Sequence, residues 1–207
     1  MPSQKVWDFW ADRYESLWVQ KYSLGPTRRA MTQILEEFVR PRKTLSVLDM
    51  GCGTGQMLRE MQQKWPGEGI RYLGVDVAPR MIETALEKSE AIEYLAAGID
   101  HFQTAGESFD LIICSHSLPY YAHQEEAIAK LAGFLKKEGL LLLAQASADN
   151  YYDKLAMALV KLTTSKASYP SIAKVMEMAR PYFAKVDTVI IKERFYMPTI
   201  GLFICQK

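Results

Sequence analysis

The stretch SVLDMGCGTGQML, Ser46 to Leu58, decides how the chain reads. Val47, Leu48 and Met50 belong to a short apolar run that suits a buried strand. The residues from Gln56 suit the start of a helix, and glycines at 51, 53 and 55 stand between the two. Glycines at such a junction let the backbone turn sharply and let a ligand approach the main chain, while the helix N-terminus presents unpaired N–H groups. The order is G-x-G-x-G rather than the G-x-G-x-x-G of a dinucleotide loop, and Asp49 stands two positions before the first glycine. A carboxylate there repels a pyrophosphate but accepts a hydrogen bond from a ligand ammonium.

Outward from this loop, short apolar runs recur as LSVLDM, IRYLGVD, IEYLAAG, FDLIICS and GLLLLAQA, and helical patterns near 55–65, 78–88 and 122–137 fall between them. Strands alternating with helices predict a parallel sheet covered on both faces. About 35 residues, Ser147 to Phe183, then interrupt the alternation with two helical patterns: Tyr152, Leu155, Leu159 and Leu162, followed by Ile172, Val175, Met176 and Ala179. The length predicts a helical insertion, because an unstructured loop of that size is uncommon inside a domain. The ending KVDTVIIKERFYMPTIGLFICQK predicts an antiparallel hairpin turning near Met197-Pro198-Thr199. At the other end, Val6, Trp7, Trp10, Tyr14, Leu17 and Trp18 form one stripe of a helix, and a second helix is expected from Pro26 to Val39.

The chain has 207 residues, about half of them apolar, which suits a single α/β domain. Lys plus Arg (25) nearly cancel Asp plus Glu (24), so no global field draws the protein to nucleic acid or anionic lipid. Residues 151–207 are mildly basic, with 9 cations against 4 anions, and a solvated face accounts for that. Cys52, Cys114 and Cys205 lack the number and spacing of a disulfide framework or zinc site. The charged N-terminus lacks the apolar core of a signal peptide, and no apolar run approaches the roughly 20 residues that span a bilayer. A soluble, cytoplasmic protein is expected.

VLDMGCGTGQ resembles the first motif of the class I S-adenosylmethionine-dependent methyltransferases, an acidic residue followed by G-x-G-x-G. The resemblance continues in order through YLGVDVAPRMI, AAGID and FDLIICSHSL and covers roughly residues 45–145. It implies a Rossmann-like three-layer α/β/α sandwich whose seven-stranded, mostly parallel sheet ends in the C-terminal hairpin. It divides the chain into an N-terminal helical lid (1–40), a cofactor-binding core (44–146), the insertion (147–183) and the terminal strands (184–207). It also implies S-adenosyl-L-methionine as cofactor. Gly51, Cys52, Gly53, Thr54 and Gly55 would pack against its methionyl part with Asp49 near the charged group, and Asp76 would accept the ribose hydroxyls. Val77 and Met81 would line one side of the adenine, Ile99 and Asp100 the other. Gly98 and Ser115 would complete the site at the third and fourth strand ends. The family's usual Gly-Asp-Ala is here Gly98-Ile99-Asp100, with the acid one place late.

The exit of the fourth strand bears on the acceptor. The [DNS]-P-P-[YF] tetrad of adenine and glutamine methyltransferases is absent after FDLIIC, and SHSLPYY resembles the small-molecule branch instead. His116 is the candidate general base, since an imidazole takes a proton near neutral pH. Its alternative is a histidine merely hydrogen-bonded at a strand end. His101 and His123 read as surface residues, and no pair has metal-ligand spacing. FWADRYESLWVQKYSLGPTRR resembles the helix and loop folded over the cofactor in small-molecule enzymes. Tyr14 would then face the sulfonium, Trp10 and Tyr22 could join it, and Arg28 could anchor an anionic acceptor. An RNA methyltransferase and a non-catalytic S-adenosylmethionine-binding protein stay open as alternatives. Monomer and homodimer are equally compatible with the sequence.

Overall fold

The computed structural model describes residues 2–67, 69–149, 153, 167–194 and 197–207. Seven strands form one sheet: β1 (Leu45–Met50), β2 (Ile70–Asp76), β3 (Glu93–Ala96), β4 (Phe109–Ser115), β5 (Leu135–Ala146), β6 (Lys185–Ile191) and β7 (Ile200–Gln206). Their order across the sheet is β3-β2-β1-β4-β5-β7-β6. The first five run parallel, and β7 pairs antiparallel with both β5 and β6, so the expected terminal hairpin is present. This is the Rossmann-like three-layer arrangement with a mostly parallel seven-stranded sheet.

Period-two alternation sends successive side chains to opposite faces, and both faces are apolar. One carries Leu48, Met50, Ile112, Cys114, Leu141, Leu143 and Phe203 under α5 (Gln124–Phe134) and α6 (Ile172–Ala179). The other carries Val47, Leu111, Ile113, Leu140, Leu142 and Leu202 under α2 (Gly25–Val39) and α3 (Gln56–Lys64). Leu35 of α2 is fully buried there, so Leu35→Ala would cost about 2–5 kcal/mol. The strand order reverses beside β1, whose neighbours β2 and β4 lead away to opposite sides, and a crevice opens above the carboxyl ends of the strands.

Three expectations shift. The strand expected at GLLLLAQA begins at Leu135, because Leu135 already pairs with Phe109 across an irregularity in the β4–β5 register, and the preceding helix therefore stops at Phe134. Of the two insertion helices, Ile172–Ala179 is present with Ser171 capping its N-terminus, while Tyr152, Leu155, Leu159 and Leu162 lie outside the described residues. The N-terminal stripe is not one helix. An α-helix, α1, covers Pro2–Trp10, the chain tightens into a 3₁₀ turn over Ala11–Ser16, and a wide π-type turn over Gln20–Leu24 leads straight into α2.

The tightened turn has a local cause. Ala11 packs against Ala78 and Met81 at the start of α4 (Pro79–Lys88), and the turn sends Tyr14 and Glu15 to different partners. Glu15 accepts hydrogen bonds from Thr54 of the glycine loop (2.7 Å) and Arg59 of α3 (2.6 Å), and pairs with Lys88 of α4 (2.8 Å). Burial alone would raise its pKa, but bonds from Lys88, Thr54 and Arg59 outweigh it and hold the carboxyl near about 2. A depressed carboxyl contributes stability above its ordinary pKa and loses it as pH falls toward the folded value. Glu15→Gln should therefore cost about 1–2 kcal/mol at pH 7, allowing for partial solvent screening, and lower the thermal midpoint by about 2–8 °C. Calorimetric scans should show the gap from wild type narrowing as pH drops below about 4.5, and a gap independent of pH would overturn this account.

Candidate active site

The glycine loop is shaped by what lies beneath it. Gly51 and Cys52 donate their N–H groups to the Val75 carbonyl (2.7 and 3.1 Å), folding the chain back over β2. Gly51 (φ 84°) and Gly55 (φ 74°) are left-handed, and a Cβ would sit 2.4 Å from Ser117 Cβ at the first and 2.2 Å from the Tyr94 hydroxyl at the second. At Gly53 the nearest such contact is a Tyr14 ring carbon at 3.5 Å, so the loop is open on that side. The Gly53 N–H reaches the Asp76 carboxylate (2.9 Å), whose other oxygen accepts from Ala78 N–H (2.9 Å). Burial raises the Asp76 pKa, and these N–H donors partly restore the charged form.

A cleft of about 220 Å³ opens here, many times the roughly 10–15 Å³ that one water needs. Of the residues expected to meet a cofactor, Gly51, Gly53, Asp76, Val77, Met81, Gly98, Ile99, Asp100 and Ser115 line it. Asp49, Cys52, Thr54 and Gly55 do not. The Cys52 thiol is turned inward toward Gly74, the Thr54 hydroxyl is spent on Glu15, and Gly55 is pressed against Tyr94. Asp49 is buried behind the loop with Oδ1 unpaired, and burial, then the Asp76 charge, pushes its carboxyl up to about 8. The loop after β3 is held by Lys130 of α5, which donates to the Ile99 and Asp100 carbonyls (2.8 and 3.1 Å).

The opposite wall begins where β4 ends. His116 is half-buried and itself left-handed (φ 59°). Its N–H donates to Ala144 (2.6 Å), and its Nε2 lies 2.9 Å from the hydroxyl of the fully buried Thr27. Burial, then the nearby Arg28 charge, lowers the imidazole to about 4, so it is neutral at physiological pH. Tyr14 also faces the cleft. Burial and then the Asp76 charge hold its phenol protonated. Trp7 meets Tyr14 and Tyr120 edge-on, with ring centroids 6.3 and 5.0 Å apart. The Tyr120 hydroxyl contacts that of Tyr169 (3.1 Å), and Ser168 N–H donates to Pro119 (2.7 Å), which brings the described end of the insertion beside the cleft.

Trp7, Ser117, Tyr120, Tyr121 and His101 line the cleft without having been singled out as site residues. The signal for the two tyrosines was the aromatic pair in SHSLPYY, whereas Trp7 was indistinguishable from a helix's packing stripe. Three other candidates point elsewhere. Arg28 is taken by Glu60 (2.9 Å) and Gln20 (3.0 Å), Trp10 meets Phe9 edge-on, and Tyr22 lies under Lys21. None of them lines the cleft, and no lysine or arginine does so among the described residues. Those residues also contain no cluster of three metal-ligating side chains.

The buried, unpaired Asp49, the open side of Gly53 and the free lone pairs of Asp76 suit a ligand with an ammonium and a ribose, as S-adenosylmethionine has. Residues 47–139 match a family model described as a methyltransferase domain. Over 121 residues the chain is 24% identical to a ubiquinone/menaquinone biosynthesis C-methyltransferase of Campylobacter jejuni, covering 57% of this chain and 51% of that protein. Over 103 residues it is 33% identical to a malonyl-[acyl-carrier protein] O-methyltransferase of a Paenibacillus species, covering 46% of this chain and 37% of that one. The chain thus spans about half or less of the curated relatives it matches. Magnesium protoporphyrin IX methyltransferase from Synechocystis, solved with S-adenosylhomocysteine bound, superposes with a TM-score of 0.73 at 17% identity over 98% of this chain and 99% of that one. The sequence match over 47–139 and the fold of the described chain agree: the matched stretch is similar to a methyltransferase domain, and the sheet around it has the Rossmann-like arrangement of the superposed enzyme.

Proposed function

We propose that the protein transfers a methyl group from S-adenosylmethionine to a small-molecule acceptor held in the cleft. The observation that carries this reading is the division of one cavity into two walls. One is the glycine loop with Asp76, the other His116 with the rings of Trp7, Tyr14 and Tyr120. Gly51 and Gly53 would admit the methionyl part, with Asp49 behind them compensating the ammonium. Asp76 would accept from the ribose, and Val77 and Met81 would face Gly98, Ile99 and Asp100 across the adenine. Cys52, Thr54 and Gly55 support the loop from beneath, and Ser115 closes the floor. The cofactor supplies an electrophilic methyl on a sulfonium. The protein's own contribution is to align the acceptor, exclude water and receive a proton where the acceptor carries one.

The aromatic wall, with Asp76 and Asp100 as the carboxylates among the described lining residues, favours a neutral or cationic acceptor with a flat apolar face. An anionic acceptor or an RNA backbone would find no cation among the described lining residues. His116 would hold the lone pair for an O–H or N–H proton. Tyr14, protonated, would orient the acceptor. The relatives' printed names, a ubiquinone/menaquinone biosynthesis C-methyltransferase and a malonyl-[acyl-carrier protein] O-methyltransferase, support methyl transfer in metabolism over transfer to RNA. A reducing, cytoplasmic setting fits three buried free thiols, and no helix among the described residues is long and apolar enough to cross a membrane.

Four measurements test this. Asp76→Ala should remove charge-assisted hydrogen bonds to the ribose of about 1.5–3 kcal/mol each and weaken S-adenosylhomocysteine binding at least about tenfold by calorimetry, where unchanged affinity would exclude the assignment. With labelled S-adenosylmethionine and the small-molecule fraction of a cell extract, products heavier by one methyl should appear. Once the acceptor is isolated, kcat/KM should stay level from about pH 5 to pH 8 and fall as pH drops through about 4, where His116 takes a proton and loses its lone pair. His116→Ala should lower kcat about 10²–10⁴-fold and abolish that limb. A mutant with wild-type kcat and the same limb would remove His116 from the chemistry.

A further inference from the structure

Thr27 stands in the first turn of α2, fully buried, and its hydroxyl has two neighbours. Oγ1 lies 2.9 Å from the Ser23 carbonyl and 2.9 Å from His116 Nε2. A hydroxyl owns a single hydrogen, and a carbonyl can only accept. With that hydrogen on Ser23, Oγ1 meets Nε2 with a lone pair, so Nε2 must carry the N–H. A neutral imidazole has one N–H, which leaves the lone pair on Nδ1. Nδ1 has no partner among the described residues, and the ring borders the cleft.

We infer that Thr27 is a positioning residue that fixes His116 as the Nε2–H tautomer and thereby makes Nδ1 the atom that takes the acceptor's proton. This rests on the reading of His116 as the base. In the step itself the acceptor atom would bond to the methyl carbon as the methyl–sulfur bond breaks, its electron pair staying on the leaving thioether, while the acceptor's hydrogen passes to Nδ1, giving an imidazolium whose Nε2–H stays on Thr27. Two further features agree. The left-handed backbone of His116, uncommon for residues other than glycine, is held by its N–H bond to Ala144 of β5. The ring is held independently from α2, so its orientation is fixed from two elements. Burial and the Arg28 charge keep the imidazole neutral, the state in which tautomer identity matters.

The sequence has three histidines, His101, His116 and His123, so long-range ¹H–¹⁵N correlation spectra of the labelled full chain resolve them, with His116→Ala giving the assignment. At pH 7 the His116 ring should show a protonated Nε2 and an unprotonated Nδ1. Thr27→Val, which keeps the side chain's shape but removes the oxygen, should move the ring to a mixture of tautomers. It should also lower transfer of labelled methyl to the small-molecule extract about 10- to 10³-fold. Thr27→Ser should restore both. A wild-type ring protonated at Nδ1 overturns the inference, and that spectrum needs no variant should Thr27→Val not fold. A Thr27→Val ring still wholly Nε2–H, or a mixed ring at wild-type rate, overturns it equally. His116→Ala at wild-type rate would instead overturn the reading of His116 as base, and this inference with it.

Discussion

The cleft depends on the Asp76 carboxylate and the two backbone N–H groups it holds. One oxygen takes Gly53 of the loop after β1, the other takes Ala78 at the entry to α4, so a single side chain at the end of β2 fixes the height of the loop and the start of a helix. A buried carboxylate is tolerable only when its charge is met by donors, and these two suffice to seat it while leaving further lone pairs toward the cavity. Asp49 lies close enough for the Asp76 charge to disfavour its own, and its unpaired oxygen has no protein donor. Two neighbouring acids with only part of their hydrogen-bonding capacity used make a site completed by a cation and hydroxyls rather than by a phosphate.

The second constraint is the attachment of the N-terminal segment. Ala11 is small enough to sit against Ala78 and Met81, and that close approach brings Trp7 and Tyr14 over the cavity. Glu15, one residue past Tyr14, then ties the same turn to the glycine loop, α3 and α4. The aromatic wall is therefore positioned by the loop it faces, and a shift of either moves the other. Because Thr54 spends its hydroxyl on this tie, a residue of the motif serves the wall instead of the ligand.

Much of this was legible in the sequence because it is periodic. Apolar runs bounded by turn residues marked the core of every strand, and Asp76 fell at the end of β2, Met81 in the first turn of the helix after it and Gly98 through Asp100 just past β3, where the topology opens a crevice. The failures share one cause: a local signal outvoted by a distant partner. The apolar stripe from Val6 to Trp18 is helical in spacing, yet the helix stops at Trp10 because Ala11 and Glu15 answer to residues 39 or more positions away. Arg28 looked like an anchor for an anion, but Glu60 of α3, 32 positions on, claims it. Thr27 carried no motif, and its partner His116 is 89 positions away on another element. Such pairings have no one-dimensional signature.

The division between what relatives share and what they do not follows the same line. The matched stretch, 47–139, contains the glycine loop, Asp76, the β3 exit and His116, and thus the groups suited to the donor and the proton. Trp7 and Tyr14, which line the cleft, Thr27, whose hydroxyl meets His116, and Tyr169, which meets Tyr120, all lie outside it. In-line methyl transfer asks little of a protein beyond alignment and dryness, so the donor half can stay constant while chain added before β1 and after β5 reshapes the acceptor half. A relative's acceptor therefore constrains the proposed one weakly. The chemistry of the wall, aromatic, neutral at His116 and without a described cation, constrains it more.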